Sequence, residues 1–324
     1  MIEFEVEEAS YPLRMPFAIA RGTKTEAATV ICTVRDPNGV TGWGEATPYP
    51  RYRESVEAVS GALRERIGEG AEATWHALEP GAARNALDVA LWDLRAKQTG
   101  KRAHLAICAD PPRPLLTAYT ISLGSVDEMA AAARAARGHR LLKVKLGGGD
   151  GQDAARMRAV GSTAFDARFI LDANEGWSVD ELPELMREAS RMGASMIEQP
   201  FPVDADGILA EVPHPVPICA DESAHTSADL EALRDRYDIV NIKLDKTGGL
   251  TEALHMRSRA RELGFGVMVG CMVASSLAMA PAVLLAQEAD YADLDGPLLL
   301  SRDREPALHY SGSIVSPPEP ELWG

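Results

Sequence analysis

Short apolar segments that end in a charged residue recur through the second half of the chain at nearly constant spacing. The charged residues are Lys145, Asp172, Glu198, Asp221 and Lys243, so the successive gaps are 27, 26, 23 and 22 residues. Such a gap accommodates one strand, one helix and two loops. Because each charged residue closes its apolar segment, the pattern is typical of a (β/α)8 barrel, which carries its chemistry at the carboxyl ends of its strands.

The alternation of predicted strands and helices begins near residue 113 and persists to about 300. The eight predicted strands lie in PLLTAYTISL, LLKVKLG, RFILDANE, ASMIEQP, PICADES, DIVNIKLD, FGVMVGC and YADLDG. Helices are predicted between them, including a short one near 204–211 and a longer one in SADLEALRDRY. Eight strands in one contiguous stretch favour a barrel over an open sheet, so we expect a catalytic barrel domain over 111–300.

The first 110 residues lack this alternation. IEFEVEEA and ATVICTVRD are predicted strands, and DPNG predicts a hairpin turn into TGWGEAT. Two helices are predicted, around 54–67 and 83–98. The predicted fold class is therefore α/β, a modified TIM barrel with an N-terminal α+β capping domain over 1–110. We expect the proline-rich tail, 301–324, to complete that cap.

Composition narrows the function classes. The chain has 33 basic and 48 acidic residues, a formal net charge of −15, which does not attract nucleic acid or an anionic membrane. The four cysteines lie far apart without metal-ligand spacing, which favours reduced thiols. The amino terminus lacks the pattern of a signal peptide and no segment is long and apolar enough to span a membrane, so we expect a cytoplasmic location.

Three of the charged strand ends are carboxylates on neighbouring strands: Asp172, Glu198 and Asp221. Hard oxygen ligands without histidine or cysteine favour Mg²⁺, and less strongly Mn²⁺. Such a metal can bind a substrate carboxylate and stabilise the enediolate that forms when a proton leaves the adjacent carbon. Taken singly, each acid is more often a cap or a salt-bridge partner, but three in succession between two lysines predict a metal site.

The lysines flank this site on opposite sides. Lys143 and Lys145 fall on the second barrel strand and Lys243 on the sixth, so Lys145 and Lys243 are expected to face each other across the mouth. One amine can remove a proton from one face of a carbon while the other returns a proton to the opposite face, which predicts epimerisation or racemisation. Lys143 shares a face with Lys145. Lys246 competes for the role of second base, but its odd offset from Lys243 predicts that it points to the other face of the strand.

The chain resembles the dipeptide epimerases of the enolase superfamily along nearly its whole length. The similar segments are IARGTKTEA, GEATPYPRY, GAARNALDVALWDL, LLKVKL, LDANE, EQP, PICADES, VNIKLDKTGGLTEA and DLDGP. The resemblance implies Mg²⁺-dependent epimerisation of L-Ala-L-Glu to L-Ala-D-Glu and back, in murein-peptide metabolism. It implies one Mg²⁺ per subunit held by Asp172, Glu198 and Asp221, with Lys145 and Lys243 as the acid/base catalysts.

The same resemblance implies how a dipeptide substrate is held. Lys143 supports Lys145 and the substrate carboxylate, whereas Asp293 and Asp295 form the DxD signature that holds the α-ammonium group. Arg21 is placed like the arginine that pairs with the side-chain carboxylate, and Thr120 resembles a substrate-contacting threonine. For Arg21 an exposed loop arginine is the alternative, with Lys24 nearby as a substitute.

The sequence is compatible with several alternatives. Tyr49, Arg51 and Tyr52 either close over the substrate or lie on the surface. His225 does not fit the His-Asp base pair of mandelate racemase-like enzymes. Other functions are epimerisation of a different dipeptide, racemisation of N-acylated amino acids, and binding of metal and peptide without turnover. The DxD pair argues against an acylated amine, and the two lysines argue against binding alone. The sequence leaves open whether the chain forms a homo-oligomer.

Overall fold

The computed structural model describes all 324 residues. Its amino-terminal part opens with an antiparallel sheet of β1 (Glu3–Ile19), β2 (Gly22–Arg35) and β3 (Thr41–Ala46). The β1–β2 pairing is interrupted between Pro12 and Phe17 and resumes toward the tip of the hairpin. That tip therefore projects beyond the body of the sheet, where it lines the cavity described below.

Four helices follow the sheet: α1 (Val56–Arg64), α2 (Ala71–Ala77), α3 (Ala82–Thr99) and α4 (His104–Ile107). The long helix α3 packs on β3 so closely that two glycines are required there. A Cβ at Gly44 would lie 2.1 Å from the Ala86 carbonyl oxygen, and one at Gly42 would lie 2.4 Å from that of Ala90. The two glycines of the TGWGEA segment therefore have a packing role: they allow α3 to approach the backbone of β3 closely.

The eight-stranded sheet is wholly parallel and follows the order of the sequence. Its strands are β5 (Tyr119–Ile121), β6 (Leu141–Lys145), β7 (Arg168–Asp172), β8 (Ala194–Glu198), β9 (Ile218–Ala220), β10 (Ile239–Ile242), β11 (Gly266–Val269) and β12 (Tyr291–Ala292). A parallel bridge between Ala292 and Thr117, just before β5, joins the last strand to the first. The predicted barrel is therefore confirmed.

Eight helices follow these strands, and the longer ones form the outer layer of the barrel. They are α5 (Val126–Ala135), α6 (Asp153–Thr163), α7 (Leu182–Met192), α8 (Leu230–Leu233), α9 (Leu244–Thr247), α10 (Leu250–Glu262), α11 (Ser276–Leu285) and α12 (Gly296–Leu299). Ser125 caps α5 with Glu128 in a capping box. No helix combines the length and the apolar character needed to cross a membrane.

Two short elements differ from or refine the predictions. The segment near 204–211 is a 3-10 helix, Asp206–Glu211. The helix predicted in SADLEALRDRY is shorter than expected, because only a 3-10 turn, Ser227–Asp229, and the four-residue α8 form. The chain turns away after α8 and buries Tyr237, whose hydroxyl donates to Asp206.

A small third sheet, β4 (Leu115–Leu116), β13 (Tyr310–Ser311) and β14 (Ile314–Val315), joins the start of the barrel to the carboxyl-terminal segment. The chain then runs to α3, where the Trp323 indole N–H donates to the Val89 carbonyl oxygen over 3.1 Å. The tail thus contacts the amino-terminal part. Such a contact is expected if residues 1–110 and 301–324 together form the cap.

The barrel core has two layers. Seven of the eight strand regions each contribute one buried residue to the interior: Ala118, Leu141, Ile170, Met196, Cys219, Ile239 and Met268. A much larger apolar cluster lies between the strands and the surrounding helices. The charged site residues therefore lie at or near the carboxyl ends of the strands, because the apolar interior below offers them no partners.

Candidate active site

A cavity of about 460 Å³ lies between the barrel mouth and the amino-terminal domain. The hairpin tip and the segment around residues 49–51 form one wall, and the carboxyl ends of the barrel strands form the floor. This volume is in the usual range for small-molecule sites. All the catalytic and substrate-binding residues proposed from the sequence lie on its surface: Arg21, Thr120, Lys143, Lys145, Lys243, Asp293 and Asp295.

The strand register sets the depth of the charged residues. Lys145, Asp172 and Glu198 are the last residues of β6, β7 and β8, and they are direct neighbours across the sheet. Asp221 and Lys243 each follow the last residue of their strand. One ring of five side chains therefore forms at the mouth of the barrel, all of them buried.

Lys143 lies at the centre of this ring. Its Nζ is 2.8 Å from the carboxylates of Glu198 and Asp293 and 3.0 Å from that of Asp172. Burial opposes its charge, but these carboxylates outweigh that effect and raise the pKa of Lys143 well above its usual range. Lys143 is thus a fixed cation rather than a proton carrier.

Lys145 donates a 2.6 Å hydrogen bond to Asp172, on the same carboxylate oxygen that Lys143 approaches. The two lysines therefore share one face of β6, as predicted. Burial opposes ionisation of Asp172, but Lys145 and Lys143 together hold the pKa of this carboxyl group well below its usual range.

On the opposite side, Lys243 donates a 2.6 Å hydrogen bond to Asp221. Burial opposes its charge, but Asp221 raises the pKa of Lys243 above its usual range. Lys145 and Lys243 extend from β6 and from the end of β10, four strands apart in the ring of eight.

The predicted orientation of Lys246 is wrong. β10 ends at Ile242, so Lys246 lies in α9 and strand parity does not apply to it. Its Nζ returns to the ring and donates to Asp221 Oδ1 over 2.7 Å and to the Asn241 carbonyl oxygen over 2.9 Å. Lys246 does not line the cavity, so it reaches the Asp221 carboxylate from behind rather than a bound molecule.

The three carboxylates suit a divalent cation in their chemistry. Glu198 is fully buried, and its Oε2 accepts no hydrogen bond although Lys143 lies nearby. Its Oε1 is held by the Asn241 amide over 2.8 Å. Burial, with repulsion from Asp172, raises the pKa of Glu198 to about 7. A buried carboxylate oxygen that has an ion contact but no hydrogen bond of good geometry suits a hard cation.

The carboxylates are not already arranged around one point. The structure contains no cluster of three acidic, histidine or cysteine side chains positioned to hold a metal ion, because the lysines lie between the acids. A cation would therefore have to displace the lysine amines from Asp172 and Asp221. The residue types fit the predicted Mg²⁺ site, whereas their present arrangement is one of ion pairs.

Asp293 and Asp295 follow β12 and face the same cavity. Asp293 Oδ2 pairs with Lys143, but its Oδ1 is buried without a partner. Asp295 accepts a 2.7 Å hydrogen bond from the backbone N–H of Thr120. Burial, with repulsion from Asp293, raises the pKa of Asp295 to about 7. Two acids at this depth form a receptor for a cationic group.

The opposite end of the cavity is rich in arginine and lysine. Arg21 donates to Glu222 over 2.6 Å and to the Asn174 carbonyl oxygen over 2.9 Å. Lys24 is exposed at the rim, forms no ion pair, and lies with its Nζ 5.0 Å from the centre of the Tyr49 ring. Lys24 is therefore the cation of this rim that lacks a carboxylate partner.

Two family descriptions match the chain. "Mandelate racemase / muconate lactonizing enzyme, N-terminal domain" matches residues 1–104, and "Enolase C-terminal domain-like" matches residues 125–319. The L-Ala-D/L-Glu epimerase of Escherichia coli (strain K12) is 43% identical over 95% of this chain and 97% of its own length. The chain belongs to the dipeptide epimerase family of the enolase superfamily. It is accordingly an isomerase of the racemase and epimerase class.

Other relatives of this dipeptide epimerase family member differ in what their names say they act on. The N-acetyl-D-glutamate racemase of a Pseudoalteromonas species is 44% identical over 87% of this chain and 91% of its own. A solved enolase family member from Agrobacterium tumefaciens, with bound sodium and L-Ala-L-Glu, is 51% identical, covers both chains fully and has a TM-score of 0.96. Other dipeptide epimerases have been solved with Mg and a dipeptide.

Sequence reasoning passed over several residues of this epimerase site. Glu222 pairs with Arg21, Glu175 contacts both Arg21 and Arg51, and Asn241 holds Glu198. For Asn241 a signal existed, since it is a polar residue within the apolar strand segment that leads to Lys243. The pairing of Glu175 with arginines more than 120 residues away leaves no local signal.

Proposed function

We propose that the protein interconverts L-Ala-L-Glu and L-Ala-D-Glu by moving a proton at the glutamate Cα, as an enzyme of murein-peptide metabolism. The observation that supports this proposal is the order of charges along one cavity. An acidic pair lies at the barrel end, two lysines flank the middle, and an unpaired cation lies at the rim. A dipeptide with an acidic second residue presents the complementary order of ammonium, reacting carbon and side-chain carboxylate.

Lys145 and Lys243 are proposed to transfer the proton from opposite faces of the Cα. Each is buried and held by a single carboxylate, at 2.6 Å in both cases. For one lysine to act as a base it must be neutral, so loosening of the Lys145–Asp172 or Lys243–Asp221 pair is part of the reaction. The lysine on the other face stays protonated and returns a proton.

Asp172, Glu198 and Asp221 are proposed to hold one Mg²⁺, with Mn²⁺ as the less favoured alternative. A divalent cation there would stabilise the negative charge that develops on the substrate carboxylate as the Cα proton leaves. It would also compete with the lysines for the same carboxylate oxygens and so favour their release. Lys143, a fixed cation within reach of Asp172 and Glu198, is proposed to support the substrate carboxylate.

Asp293 and Asp295 are proposed to bind the α-ammonium group of the alanine. Asp293 Oδ1 is a buried acceptor without a partner, and an ammonium group supplies the N–H donors it lacks. Thr120 positions Asp295 through its backbone N–H and lines the same part of the cavity.

The glutamate side chain is proposed to lie toward the rim. Arg21 and Arg51 are already paired with Glu175 and Glu222, so these four charges balance. Lys24 adds one positive charge without a carboxylate. The rim therefore has one excess positive charge, which one substrate carboxylate would neutralise. Both Lys24 and Arg21 lie on the cavity surface, where they can contact that carboxylate.

A second candidate is racemisation of an N-acylated glutamate, which the 44% identical relative favours by its name. Both candidate substrates contain glutamate as the reacting residue and differ at the acyl end. An acylated amine without an ammonium group offers no partner to the unpaired Asp293 oxygen. For that reason the dipeptide is the preferred substrate of this proposal.

The test is proton NMR of L-Ala-L-Glu with the Mg²⁺-loaded protein in D₂O, followed in parallel with N-acetyl-L-glutamate. We expect the glutamate α-proton signal to disappear as the L,D diastereomer appears, with a kcat/KM at least about tenfold above that for the acylated compound, since a lost ion pair costs over about 1.4 kcal/mol. Exchange with other dipeptides but not with L-Ala-L-Glu would support the proton-transfer reaction and assign a different dipeptide as the substrate. Exchange with N-acetylglutamate alone would favour the second candidate, and no exchange with either or with a dipeptide panel would contradict the proposal.

A further inference from the structure

Glu175 joins both segments of the cavity rim to the barrel. Arg51 binds it in bidentate fashion, with Nε 2.8 Å from Oε2 and Nη2 2.7 Å from Oε1. Arg21 adds a third contact, with Nη1 3.1 Å from Oε2. Bidentate arginine–carboxylate pairs fix geometry as well as supplying energy, so Glu175 constrains both arginines at once.

The two arginines come from separate parts of the chain. Arg21 lies at the tip of the β1–β2 hairpin, and Arg51 lies in a 3-10 turn, Pro50–Tyr52. Tyr49, beside that turn, accepts a 3.1 Å hydrogen bond from Arg21 and so links the two segments. Both segments line the outer wall of the cavity, and Glu175 is the carboxylate that they share.

The loop that carries Glu175 is held rigidly. Asn174 and Glu175 both have left-handed backbone conformations, with φ values of 46° and 68°. The Glu175 N–H donates to the Gln199 carbonyl oxygen over 2.8 Å, and its side chain is only 9% exposed. Residues other than glycine adopt this conformation only when the surroundings enforce it. Glu175 therefore presents its carboxylate from a fixed point, three residues after Asp172.

We propose that Glu175 is a positioning residue that fastens the hairpin tip and the 49–53 turn over the cavity, and that its strength determines how well the substrate is retained. It touches neither the lysine pair nor the three carboxylates, so it acts through Arg21 and Arg51. The role in substrate retention rests on the proposed function. The fastening itself does not, because it is a property of the protein without substrate.

The expected effect is on binding rather than on proton transfer. Without the Glu175 carboxylate, Arg51 loses its only ion pair and Arg21 keeps Glu222. The turn is then released while the hairpin tip remains partly held. Substrate leaves more easily through the opened rim, but the distances between the lysines and the barrel carboxylates do not change. A rise in KM with nearly constant kcat follows.

The test compares Glu175→Gln with wild type in two measurements. Limited trypsin digestion reports exposure of the bonds after Arg21, Lys24, Arg51 and Arg53, and we expect cleavage there to accelerate about five- to tenfold, as a released loop opens more often. Steady-state kinetics with L-Ala-L-Glu should show KM raised about five- to twentyfold and kcat within about twofold, for loss of a bidentate charged pair. Glu175→Asp keeps the charge and should restore part of the protection.

The matched control is Glu184→Gln, which removes the same charge from α7, where Glu184 pairs with Arg158 and touches no part of the rim. It should leave both measurements unchanged. In the double variant Arg51→Met/Glu175→Gln the protection should be no lower than in the less protected of the two single variants, because both changes remove the same Arg51–Glu175 pair. Unchanged cleavage and KM in a folded Glu175→Gln protein would overturn the proposal. If that variant does not fold, Arg51→Met must show the same two effects.

Different results would contradict the proposed epimerase function and the proposed fastening role of Glu175. Absence of turnover in wild type with any dipeptide would defeat the proposed function and leave the trypsin comparison to decide on the fastening role. Normal wild-type turnover with protease resistance unaffected by Glu175→Gln would defeat the fastening role alone.

Discussion

At the scale of single residues, the site is a set of ion pairs in which the buried lysines differ in their number of carboxylate partners. Lys143 contacts three carboxylates, Lys246 contacts one from behind, and only Lys145 and Lys243 combine exposure to the cavity with a single carboxylate partner. An amine with one partner can be freed by one competing cation, whereas an amine with three cannot. This difference supports the proposal that Lys145 and Lys243, among the four buried lysines, carry the proton.

Replacement of either proposed proton carrier, Lys145 or Lys243, by methionine should abolish epimerisation, with a loss of at least about 10²- to 10⁴-fold, the usual contribution of a general acid or base. Lys145→Met and Lys243→Met should each still exchange the α-proton of one diastereomer in D₂O, because the remaining lysine serves one face. The measurement is α-proton exchange by NMR from each diastereomer separately. Epimerisation retained by either folded variant would contradict the two-base arrangement.

The rim cations predict a specificity change. Lys24→Met should lower kcat/KM for L-Ala-L-Glu by up to about fivefold, since a rim ion pair contributes up to about 1 kcal/mol, and should leave L-Ala-L-Gln unaffected. Arg21→Met should also lower kcat/KM for L-Ala-L-Glu, but it leaves Glu222 without its partner and so adds a loss of stability. Equal losses for both dipeptides in Lys24→Met would show that Lys24 does not recognise the side-chain carboxylate.

At the scale of elements, the contact between the amino-terminal part and the barrel depends on buried carboxylates. Asp245, in α9, accepts hydrogen bonds from the Thr47 N–H over 2.9 Å and from the Asn85 amide over 2.8 Å. Asp88, in α3, accepts from the N–H and the hydroxyl of Thr251. Because Asp245 lies two residues after Lys243, this interface fixes the position of the cap relative to the site.

Burial raises the pKa of Asp245 to about 7, above the value near 4 of an unfolded chain. The folded protein therefore binds more protons between these values, and the contribution of Asp245 to stability is greatest at low pH and is lost as the pH rises toward about 7. Asp245→Asn should remove this dependence and be more stable than wild type at pH 8, on the order of 1 to 3 kcal/mol. Its amide can donate to Asn85 Oδ1, which has no partner.

Urea unfolding of Asp245→Asn and wild type at several pH values from 5 to 8 measures this effect. The control is Asp127→Asn, at an exposed position in the first turn of α5. A variant that keeps the wild-type pH dependence, or that loses stability at pH 8, would contradict the assignment to Asp245.

The elements also show how far the sequence could predict the site. Strand ends were predictable because the apolar residues of each segment mark the buried part of a strand, and the charged residue after them marks where the strand ends. Lys246 was misplaced because the end of β10 falls one residue before Lys243, and strand parity stops there. Glu175 and Glu222 were missed because their arginine partners are distant in the sequence. Pairing across the cavity depends on how the cap docks, and no local pattern contains that information.

At the scale of the whole molecule, we expect metal binding, protonation and stability to be linked through Glu198, a proposed Mg²⁺ ligand. Burial and the neighbouring Asp172 raise the pKa of Glu198 to about 7, so below that pH a bound cation must displace its proton. The apparent affinity for Mg²⁺ should therefore rise with pH up to about 7 and then level off. The same raised pKa makes the metal-free protein less stable as pH increases toward 7.

Calorimetric titration with Mg²⁺ at pH 6 and pH 8, in two buffers of different protonation enthalpy, tests this linkage. We expect net proton release at pH 6 that exceeds the release at pH 8, because Glu198 contributes a proton only at the lower pH. Saturation at about 100 times the Kd should stabilise the fold by about 2.7 kcal/mol, visible as a higher Tm that chelation reverses. Glu198→Gln should weaken binding and remove the difference in proton release. Equal Mg²⁺ affinity and equal proton release at both pH values in wild type would contradict this linkage. That result would show that Glu198 is already ionised before Mg²⁺ binds, so that only the lysine amines compete with Mg²⁺ for the carboxylates.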